Sequence, residues 1–434
     1  MNLLVTNSQC SQAYMIMRCL RSDARRIVAT MNGTNWLRAR TTHAARSKYV
    51  DARYVVPYCA RDWLAGRIQH ENTEAEESFV RRIEEICRKE KIDTIFPSFD
   101  PEVYVFSKNL ERFRRQGILV VGPDYERLMI PLDKYNSVRA AEKAGVPVPR
   151  SIVPADMEEL RRVAPELGPP WVIKPRMTAG SQGTTYVDDP AKLESTYAKV
   201  SAAHHRPMLQ EFIPGWMTRN FYLMADRDSE IVSILSPDVL RTSKRLFRDS
   251  TAVCVSRTTP PLLAEVRQLV REIGWRGGLT IQTKIDARDG KPKLMEINPR
   301  LGSALWRRTE LGVNEPLAYL RIARGEPVGE LPAYPDGVLL LEPLDDILNI
   351  TLELLDIAVF RFRTRVLGRA PIDPDNLPRP LREVMHAYTS AYFNRQPKAL
   401  IPYTRYLASD PVACLLWYYQ ATGYWLRNLR KIGH

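Results

Sequence analysis

The residues that point most directly to chemistry are Glu296, Asn298 and Arg300, which alternate with apolar residues in the segment 294–303. In a β-strand every second side chain points to the same face, so Glu296 and Asn298 share a face and Arg300 follows just past Pro299. Carboxylate and amide oxygens suit hard cations such as Mg²⁺, and the planar guanidinium group of an arginine suits a phosphate. The segment indicates nucleotide chemistry at a strand end, although an edge strand with one solvated polar face would show the same pattern.

A lysine and a loop with two glycines lie together in residues 171–184. The apolar run 171–174 predicts a strand that ends in Lys174, and the loop after it contains Gly180 and Gly183. Glycine lets backbone N–H groups approach phosphate oxygens closely, and the lysine adds a positive charge. The order differs from a Walker A motif, because Lys174 precedes the loop. The pattern favours phosphate binding, and the alternative is an ordinary turn beside a surface lysine.

Two weaker signals lie on either side of this loop. Asp133 and Lys134 precede a predicted helix, where Lys134 either contacts phosphates or lies on the helix surface. The segment 209–215 predicts an apolar strand that ends at a Pro-Gly linker. Its backbone groups can recognise an adenine ring, and Glu211 can accept from the amino group of that ring. Each signal alone is typical of many proteins, so the argument depends on their order along the chain.

The remaining pattern defines the parts of the chain that position these residues. Strand and helix signals alternate through residues 1–123, which predicts a doubly wound parallel sheet. No GxGxxG motif follows the first predicted strand, so dinucleotide binding is not expected there. Residues 124–330 predict mixed α/β structure with a small unit at about 151–207, and residues 331–434 predict a basic, helical C-terminal region. The predicted fold class is therefore α/β.

Composition limits the classes of protein to which the chain can belong. It has 434 residues, of which 44% are hydrophobic and 26% are charged, and its formal net charge is +13. These fractions are ordinary for a globular protein, and no apolar run reaches the length of a membrane span. The six cysteines form no CxxC pair, which favours reduced thiols over disulfides or a zinc site. We expect a cytoplasmic protein, and no nucleic-acid partner because no binding motif accompanies the charge.

Taken in order, the motifs resemble those of the ATP-grasp superfamily of carboxylate–amine ligases. They are Asp-Lys at 133, Ala-Gly-Val-Pro-Val-Pro at 144, Val-Ile-Lys-Pro at 172, Gln-Glu-Phe-Ile-Pro-Gly at 210 and Glu-Ile-Asn-Pro-Arg at 296. The resemblance covers roughly residues 1–325. It implies an N-terminal doubly wound domain, then ATP-grasp α+β domains with a mobile lid, and it leaves the helical C-terminal extension outside the family pattern.

The resemblance also implies roles for the matching residues. Lys134 and Lys174 would contact phosphates, and Lys174 and Arg300 would be the catalytic residues. The residues implied to bind ATP are Lys134, Lys174, Gly180, Ser181, Gln182, Gly183, Gln210, Glu211, Phe212 and Ile213. The residues implied to hold the metal are Gln282, Glu296 and Asn298.

Gln282 departs from the pattern of many family members, which have a carboxylate at that position. The carbamoyl-phosphate-synthetase-like branch has glutamine there, as this chain does. A neutral amide attracts Mg²⁺ less than a carboxylate does. The resemblance therefore implies ATP with one or two Mg²⁺ ions, with Mn²⁺ as an alternative ion.

The implied activity is phosphoryl transfer from ATP to a small-molecule carboxylate, followed by attack of an amine on the acyl phosphate. The products are an amide or peptide bond, ADP and phosphate. Such chemistry needs positioning and charge neutralisation more than a protein nucleophile. The alternative enzyme forms carboxyphosphate, as in the carbamoyl-phosphate-synthetase-like branch, and the alternative from another class is a non-catalytic nucleotide-binding scaffold.

Other residues are hypothesised to bind the acceptor or a partner. The basic segment 241–248 is either an anion-binding segment, through Arg241, Lys244 and Arg245, or a solvated loop. Backbone N–H groups of Gly302 and Ser303 are a second candidate for an acceptor carboxylate. The C-terminal end mixes aromatics with cations, as a membrane-surface helix would. We favour instead a packed or dimerising helix, and a homodimer is one of the forms that this interpretation allows.

Overall fold

The structure is a computed structural model, and its described residues form two compact units. Unit 1 is built from Met1–Ser236 and Thr259–Tyr334, and Unit 2 from Pro237–Thr258 and Pro335–His434. Within these units the structure describes residues 1–33, 42–66, 68–178, 182–215, 217–243, 250–329, 331–341, 343–368, 380–393, 398–400, 409–417 and 419. None of the helices in these ranges combines the length and the apolar character needed to cross a bilayer.

The strands are numbered in chain order. They are β1 (Asn2–Val5), β2 (Arg26–Asn32), β3 (Ala52–Val56), β4 (Thr94–Phe96), β5 (Leu119–Val120), β6 (Ser151–Ile152), β7 (Trp171–Lys174), β8 (Thr185–Val187), β9 (Met208–Glu211), β10 (Thr218–Ala225), β11 (Ile231–Leu235), β12 (Asp238–Ser243), β13 (Ser250–Val255), β14 (Gly277–Ile285), β15 (Pro292–Asn298), β16 (Leu339–Leu341) and β17 (Lys398–Leu400).

The α-helices are numbered in the same way. They are α1 (Ser11–Cys19), α2 (Arg61–Leu64), α3 (Glu74–Glu90), α4 (Asp100–Lys108), α5 (Leu110–Arg114), α6 (Tyr125–Leu132), α7 (Lys134–Lys143), α8 (Met157–Leu167), α9 (Leu193–Ala203), α10 (Leu263–Ile273), α11 (Leu305–Glu310), α12 (Glu315–Ala323), α13 (Pro343–Arg361) and α14 (Leu381–Phe393). Short 3₁₀ turns lie at Ala44–Arg46 and Pro190–Lys192, and a π-helical turn at Phe362–Val366.

The N-terminal part of Unit 1 is a parallel sheet with the strand order β3-β2-β1-β4-β5. The central strand, β1, is apolar and buried. Its residues Leu3, Leu4 and Val5 have no exposed surface. The predicted parallel sheet is confirmed. The chain runs outward from β1 to β3 and then returns to place β4 on the other side of β1. Ligands of such sheets bind at this switch point, beyond the carboxyl ends of the strands.

Local signals fix the helix α3, which packs on this sheet. The Thr73 side chain accepts from the backbone N–H of Glu76, and the Glu76 side chain accepts from the backbone N–H of Thr73. This capping box satisfies two of the free N–H groups at the helix start. The helix therefore begins at Glu74, directly after its cap, and runs to Glu90.

Two further sheets complete Unit 1, and both are antiparallel. The first has the order β6-β9-β7-β8 and packs against α8 and α9 through residues that include Trp171 and Leu209. Its strands lie between Ser151 and Glu211. The division of the chain that makes residues 151–207 a mobile lid stays a prediction. The second has the order β11-β10-β14-β15, and it carries the Glu-Ile-Asn motif on its last strand.

Unit 2 contains strands as well as the helices that the sequence predicts for residues 331–434. Its sheet has the order β12-β13-β16-β17, and its core includes Val253, Val255, Leu339 and Leu341. The strand β16 is three consecutive leucines, a pattern that periodicity cannot distinguish from a short stretch of buried helix. Residues 237–258 therefore join the C-terminal region through strand pairing between residues far apart in the chain.

Candidate functional site

The hairpin β14–β15 brings the predicted metal ligands together. Gln282 lies directly opposite Glu296 in the antiparallel register, and Thr280 lies opposite Asn298. Directly opposed side chains in an antiparallel pair share a face of the sheet. The Nδ2 atom of Asn298 is 3.2 Å from Oε1 of Glu296. The side chains of Gln282, Glu296 and Asn298 thus lie on one face of this hairpin.

Arg300 lies just beyond the strand and is held by a residue of the N-terminal sheet. Its Nη2 atom donates to Oδ2 of Asp100 at 2.9 Å and to Oδ1 of Asn298 at 3.4 Å. Burial lowers the pKa of Arg300, but the charge and hydrogen bond of Asp100 outweigh burial and raise the pKa above its usual value. The guanidinium group is therefore a fixed positive charge next to the Glu-Ile-Asn strand.

Lys134 and Lys174 come from different elements and both lie close enough to Glu296 for its charge to act on them. Burial lowers the pKa of Lys174 to about 8, the charge of Glu296 opposes this shift, and the charge of Lys134 adds to it. Burial also lowers the pKa of Lys134, against the charges of Glu296 and Asp100. The Nζ atom of Lys134 donates to the carbonyl oxygen of Thr178 at 2.7 Å. Lys134, Lys174 and Arg300 outnumber Glu296 and Asp100, the carboxylates shared among them, so the site has an excess of positive charge.

Asp133 positions the two lysines, a role that the sequence did not indicate. It caps α7 by accepting from the backbone N–H of Tyr135 at 2.9 Å, which fixes Lys134 at the helix start. It also forms an ion pair with Arg176 at 2.5 Å, and Arg176 follows β7 by two residues. One carboxylate thus connects the helix that carries Lys134 to the strand that ends in Lys174.

The predicted lid loop is only partly described. Gly180 and Ser181 lie outside the described residues, and Gln182 and Gly183 form a turn. Gly183 has φ +74°, and a Cβ atom there would lie 2.6 Å from Nε2 of His204 and 2.7 Å from Cγ of Pro175. Glycine at 183 is therefore required by the backbone and the packing, whether or not a phosphate binds.

The predicted adenine edge consists of residues 210–213 at the end of β9. Gln210 and Ile213 are buried, and Nε2 of Gln210 donates to Oγ of Ser151 at 2.8 Å. The carboxylate of Glu211 accepts from the backbone N–H and from Nε of Arg150, both at 3.1 Å. Arg150 thus competes for the group that the sequence assigned to adenine, while the backbone at 211–213 stays a predicted adenine contact.

Phe212 lies beside a positive charge at the same edge. Nζ of Lys284 is 5.1 Å from the centroid of its ring, and the ring of Tyr186 approaches edge-on at 6.0 Å. Lys284 also lowers the pKa of Lys174, so one cation acts on both the predicted phosphate-binding lysine and the predicted adenine edge.

The predicted acceptor residues have different surroundings. Arg241 is buried in Unit 2, where both its Nε and Nη2 atoms donate to Asp346 and its Nη1 atom donates to the carbonyl oxygen of Ala387. Its guanidinium group is therefore occupied by Asp346 and Ala387, and its acceptor role stays a prediction. Lys244 and Arg245 lie outside the described residues.

Gly302 and Ser303 follow Arg300, and a turn begins at Ser303. A Cβ atom on Gly302 would lie 2.8 Å from Oγ1 of Thr280, so the backbone passes close to β14. Ser303 is exposed. Their acceptor role stays a prediction.

The metal chemistry of this site would depend on one carboxylate. Among the described residues, no group of three His, Cys, Asp or Glu side chains could hold a metal ion. Glu296 with the amide oxygens of Asn298 and Gln282 still provides the all-oxygen donor set that Mg²⁺ takes, and Mg²⁺ commonly completes its shell with water and substrate phosphates. The residues present therefore fit a magnesium ion shared with a nucleotide.

Part of this chain is similar in sequence to ATP-binding domains of known proteins. Residues 133–331 match the family model described as the carbamoyl-phosphate synthase L chain, ATP binding domain. A carbamoyl phosphate synthase large chain of Kineococcus radiotolerans is 29% identical over 232 residues, which are 50% of this chain and 21% of that protein. This chain thus spans about a fifth of the length of that relative.

Solved structures of the same fold extend the similarity beyond the matched segment. A complex of biotin carboxylase with β,γ-ATP from Campylobacter jejuni superposes with a TM-score of 0.59 at 16% identity, covering 75% of this chain and 72% of that one. An L-amino acid ligase from Bacillus licheniformis gives 0.54 at 16% identity, covering 76% of this chain and 75% of that one. At these identities the likeness shows the fold alone.

Proposed function

We propose that this chain, whose residues 133–331 form an ATP-grasp domain of the carbamoyl-phosphate-synthase type, is an ATP-dependent ligase. It would phosphorylate a carboxylate with ATP and join the resulting acyl group to an amine, releasing ADP and phosphate. The observation that carries the proposal is the convergence of Lys134, Lys174 and Arg300 around Glu296.

The charges of this cluster support phosphoryl transfer. Lys134, Lys174 and Arg300 gather around two carboxylates, Glu296 and Asp100, and burial already lowers the pKa of both lysines. Placing triphosphate oxygens there would restore the charge balance and favour the protonated lysines. Preorganised cations of this kind stabilise the charge that spreads over the transferred phosphoryl group.

Each residue has a distinct part in the proposed reaction. Lys134 and Lys174 bind the phosphates of ATP, and the backbone at 211–213 contacts adenine. Glu296, Asn298 and Gln282 would hold Mg²⁺, which supplies neutralisation of phosphate charge when bound. Arg300, fixed by Asp100, orients the phosphoryl group toward the carboxylate oxygen.

The chemical steps need no protein nucleophile. The carboxylate oxygen attacks the γ-phosphorus, the bond to the β-phosphate oxygen breaks, and ADP leaves. The amine nitrogen, in its neutral form, then attacks the acyl carbon, the C–O bond to phosphate breaks, and the proton lost by the nitrogen goes to the released phosphate. Positioning of the two substrates accounts for the catalysis.

ADP release measured with the full chain tests this proposal. We expect release from Mg²⁺ and ATP only when a suitable acid is paired with an amine, in a screen of amino acids and small carboxylic acids. Lys174→Ala should abolish the release, whereas Lys192→Ala, an exposed lysine paired with Asp189, should leave it unchanged. Binding of ATP without release in any pair would instead favour a non-catalytic nucleotide-binding scaffold.

A carboxyphosphate-forming reaction is the second candidate. The match of residues 133–331 to the carbamoyl-phosphate-synthase domain favours it, as does the neutral Gln282 that the resemblance attributes to that branch. Bicarbonate as the only acid that stimulates ADP release would support this candidate over the amide ligase.

A further inference from the structure

A group of buried polar side chains lies beyond the carboxyl ends of β1, β2 and β4. We call Thr6, Asn32, Asp100 and Glu102 the sheet-edge cluster. Thr6 follows β1, Asn32 ends β2, and Asp100 and Glu102 lie in the first turn of α4, which follows β4. All four are at most 6% exposed. The group therefore occupies the switch point of the parallel sheet, where ligands of this fold class bind.

The cluster is built around the carboxyl group of Glu102. Oγ1 of Thr6 donates to one oxygen at 2.5 Å, and Nδ2 of Asn32 donates to the other at 2.7 Å. No cation is recorded in contact with this carboxyl group among the described residues, and burial raises the pKa of Glu102 to about 7. A fully buried carboxyl group with only neutral partners is costly when ionised.

Polar atoms of the same cluster lack partners. Within the described part of the chain, neither Oδ1 of Asn32 nor Oδ1 of Asp100 has a hydrogen-bond partner. Since Nδ2 of Asn32 bonds to Glu102, the Oδ1 atom of the same amide lies beside that carboxyl group. Buried polar groups in proteins are normally paired, so these oxygens indicate an absent donor. The three acceptors are two carboxyl groups and one amide oxygen, which together suit a group with several N–H donors and a positive charge.

The cluster adjoins the proposed reaction centre through Asp100. The other oxygen of Asp100, Oδ2, accepts from Arg300 at 2.9 Å, and Arg300 also contacts Asn298. A donor held by Oδ1 of Asp100 would therefore lie about one side chain away from the guanidinium group that orients the phosphoryl group. An ammonium group held there would lie next to the proposed phosphoryl site, and it could attack an acyl phosphate once it has lost a proton.

We propose that the sheet-edge cluster binds the ammonium group of the amine substrate, with Glu102, Asp100 and Asn32 as its acceptors. The proposal rests on the ligase function proposed above and adds where the amine is held. A primary ammonium group has three N–H donors, which matches the three acceptors. Its charge would compensate the buried carboxyl group of Glu102, whose partners among the described residues are the neutral side chains of Thr6 and Asn32.

Thermal unfolding of the full chain with methylammonium chloride tests the proposal without ATP. We expect methylammonium to raise the Tm of the wild type in a saturable way, beyond equal concentrations of potassium chloride and tetramethylammonium chloride. Potassium offers the same charge without N–H donors, and tetramethylammonium is too large and has no donors. Equal shifts with all three salts, or a potassium shift as large as that of methylammonium, would overturn the assignment.

The variant Glu102→Gln tests whether Glu102 is responsible for methylammonium binding. This substitution keeps the shape and the hydrogen-bonding ability of the side chain but removes its charge. We expect the affinity for methylammonium to fall by about tenfold or more. The control is Glu90→Gln in the same domain, because Glu90 pairs with Arg26 outside the cluster. An undiminished methylammonium shift in Glu102→Gln would refute the site.

Nucleotide binding separates this proposal from the ligase function. The dissociation constant of an ATP analogue should be unchanged in Glu102→Gln, because the phosphate-binding lysines are not altered. Loss of methylammonium binding with intact ATP binding supports the site. Methylammonium binding in a chain that never releases ADP would leave the site standing and count against the ligase.

Discussion

The pKa of Lys174 predicts how ATP binding depends on pH. Burial and the charge of Lys134 bring this pKa down to about 8, despite the opposing charge of Glu296. With that value, roughly 90% of the free protein has a charged Lys174 at pH 7 and roughly 10% at pH 9. If ATP requires the charged form, the dissociation constant should rise roughly tenfold between these two pH values.

The direction of this pH dependence follows from the charge of Lys174 in the complex with ATP. Phosphate oxygens favour the protonated amine, so ATP raises the pKa of Lys174 toward or above its ordinary value. The affinity for ATP is therefore highest at pH values below the pKa of Lys174 in the free protein, and it falls as the pH rises through that pKa. Binding above pH 8 should also take up close to one proton, which calorimetry in buffers of different ionisation enthalpy measures.

Fluorescence titration with a non-hydrolysable ATP analogue measures the dissociation constant from pH 6.5 to 9. Lys174→Arg is the informative variant, because a guanidinium group stays charged across this range, and its affinity should be nearly flat. Lys192→Ala should keep the slope of the wild type. A flat profile in the wild type, or an equal slope in Lys174→Arg, would refute the placement of Lys174 at the phosphates.

Three further predictions follow from other residues. Without metal, Glu296→Gln should move the midpoint of this titration to lower pH, because it removes the charge that keeps Lys174 protonated; an unmoved midpoint would contradict the interaction. Gln282→Glu should tighten Mg²⁺ or Mn²⁺ binding about tenfold in a metal titration with nucleotide bound, and unchanged affinity would remove Gln282 from the ligands. Arg241→Ala should lower the free energy of unfolding in urea by roughly 3 kcal/mol, since it leaves Asp346 buried without its partner; an unchanged unfolding midpoint would show that the pair is not needed.

Features that depend on neighbouring residues were predictable from the sequence. The helix α3 carries its own capping box at Thr73, and β7 is an apolar run that ends in a lysine. The hairpin β14–β15 follows from alternation on either side of the turn at 287–290. These patterns fix the hairpin that presents Glu296.

Contacts between distant parts of the chain were not predictable in the same way. Asp100 and Arg300 are 200 positions apart, and Arg241 and Asp346 are 105 positions apart. Each charge alone reads as a solvated side chain, because a sequence does not show which charges are buried together. The same limit hid Glu102, which lies in an Asp-Pro-Glu run typical of a helix start.

Transfer of ¹⁸O from the carboxylate to phosphate tests the central claim most directly, namely that ATP activates an organic acid as an acyl phosphate. The full chain would be incubated with Mg²⁺, ATP, an amine pool and carboxylic acids labelled with ¹⁸O in their carboxyl groups, and the released phosphate analysed by mass spectrometry. We predict that the phosphate contains one ¹⁸O atom from the acid. Phosphate that takes its new oxygen only from water would contradict the account.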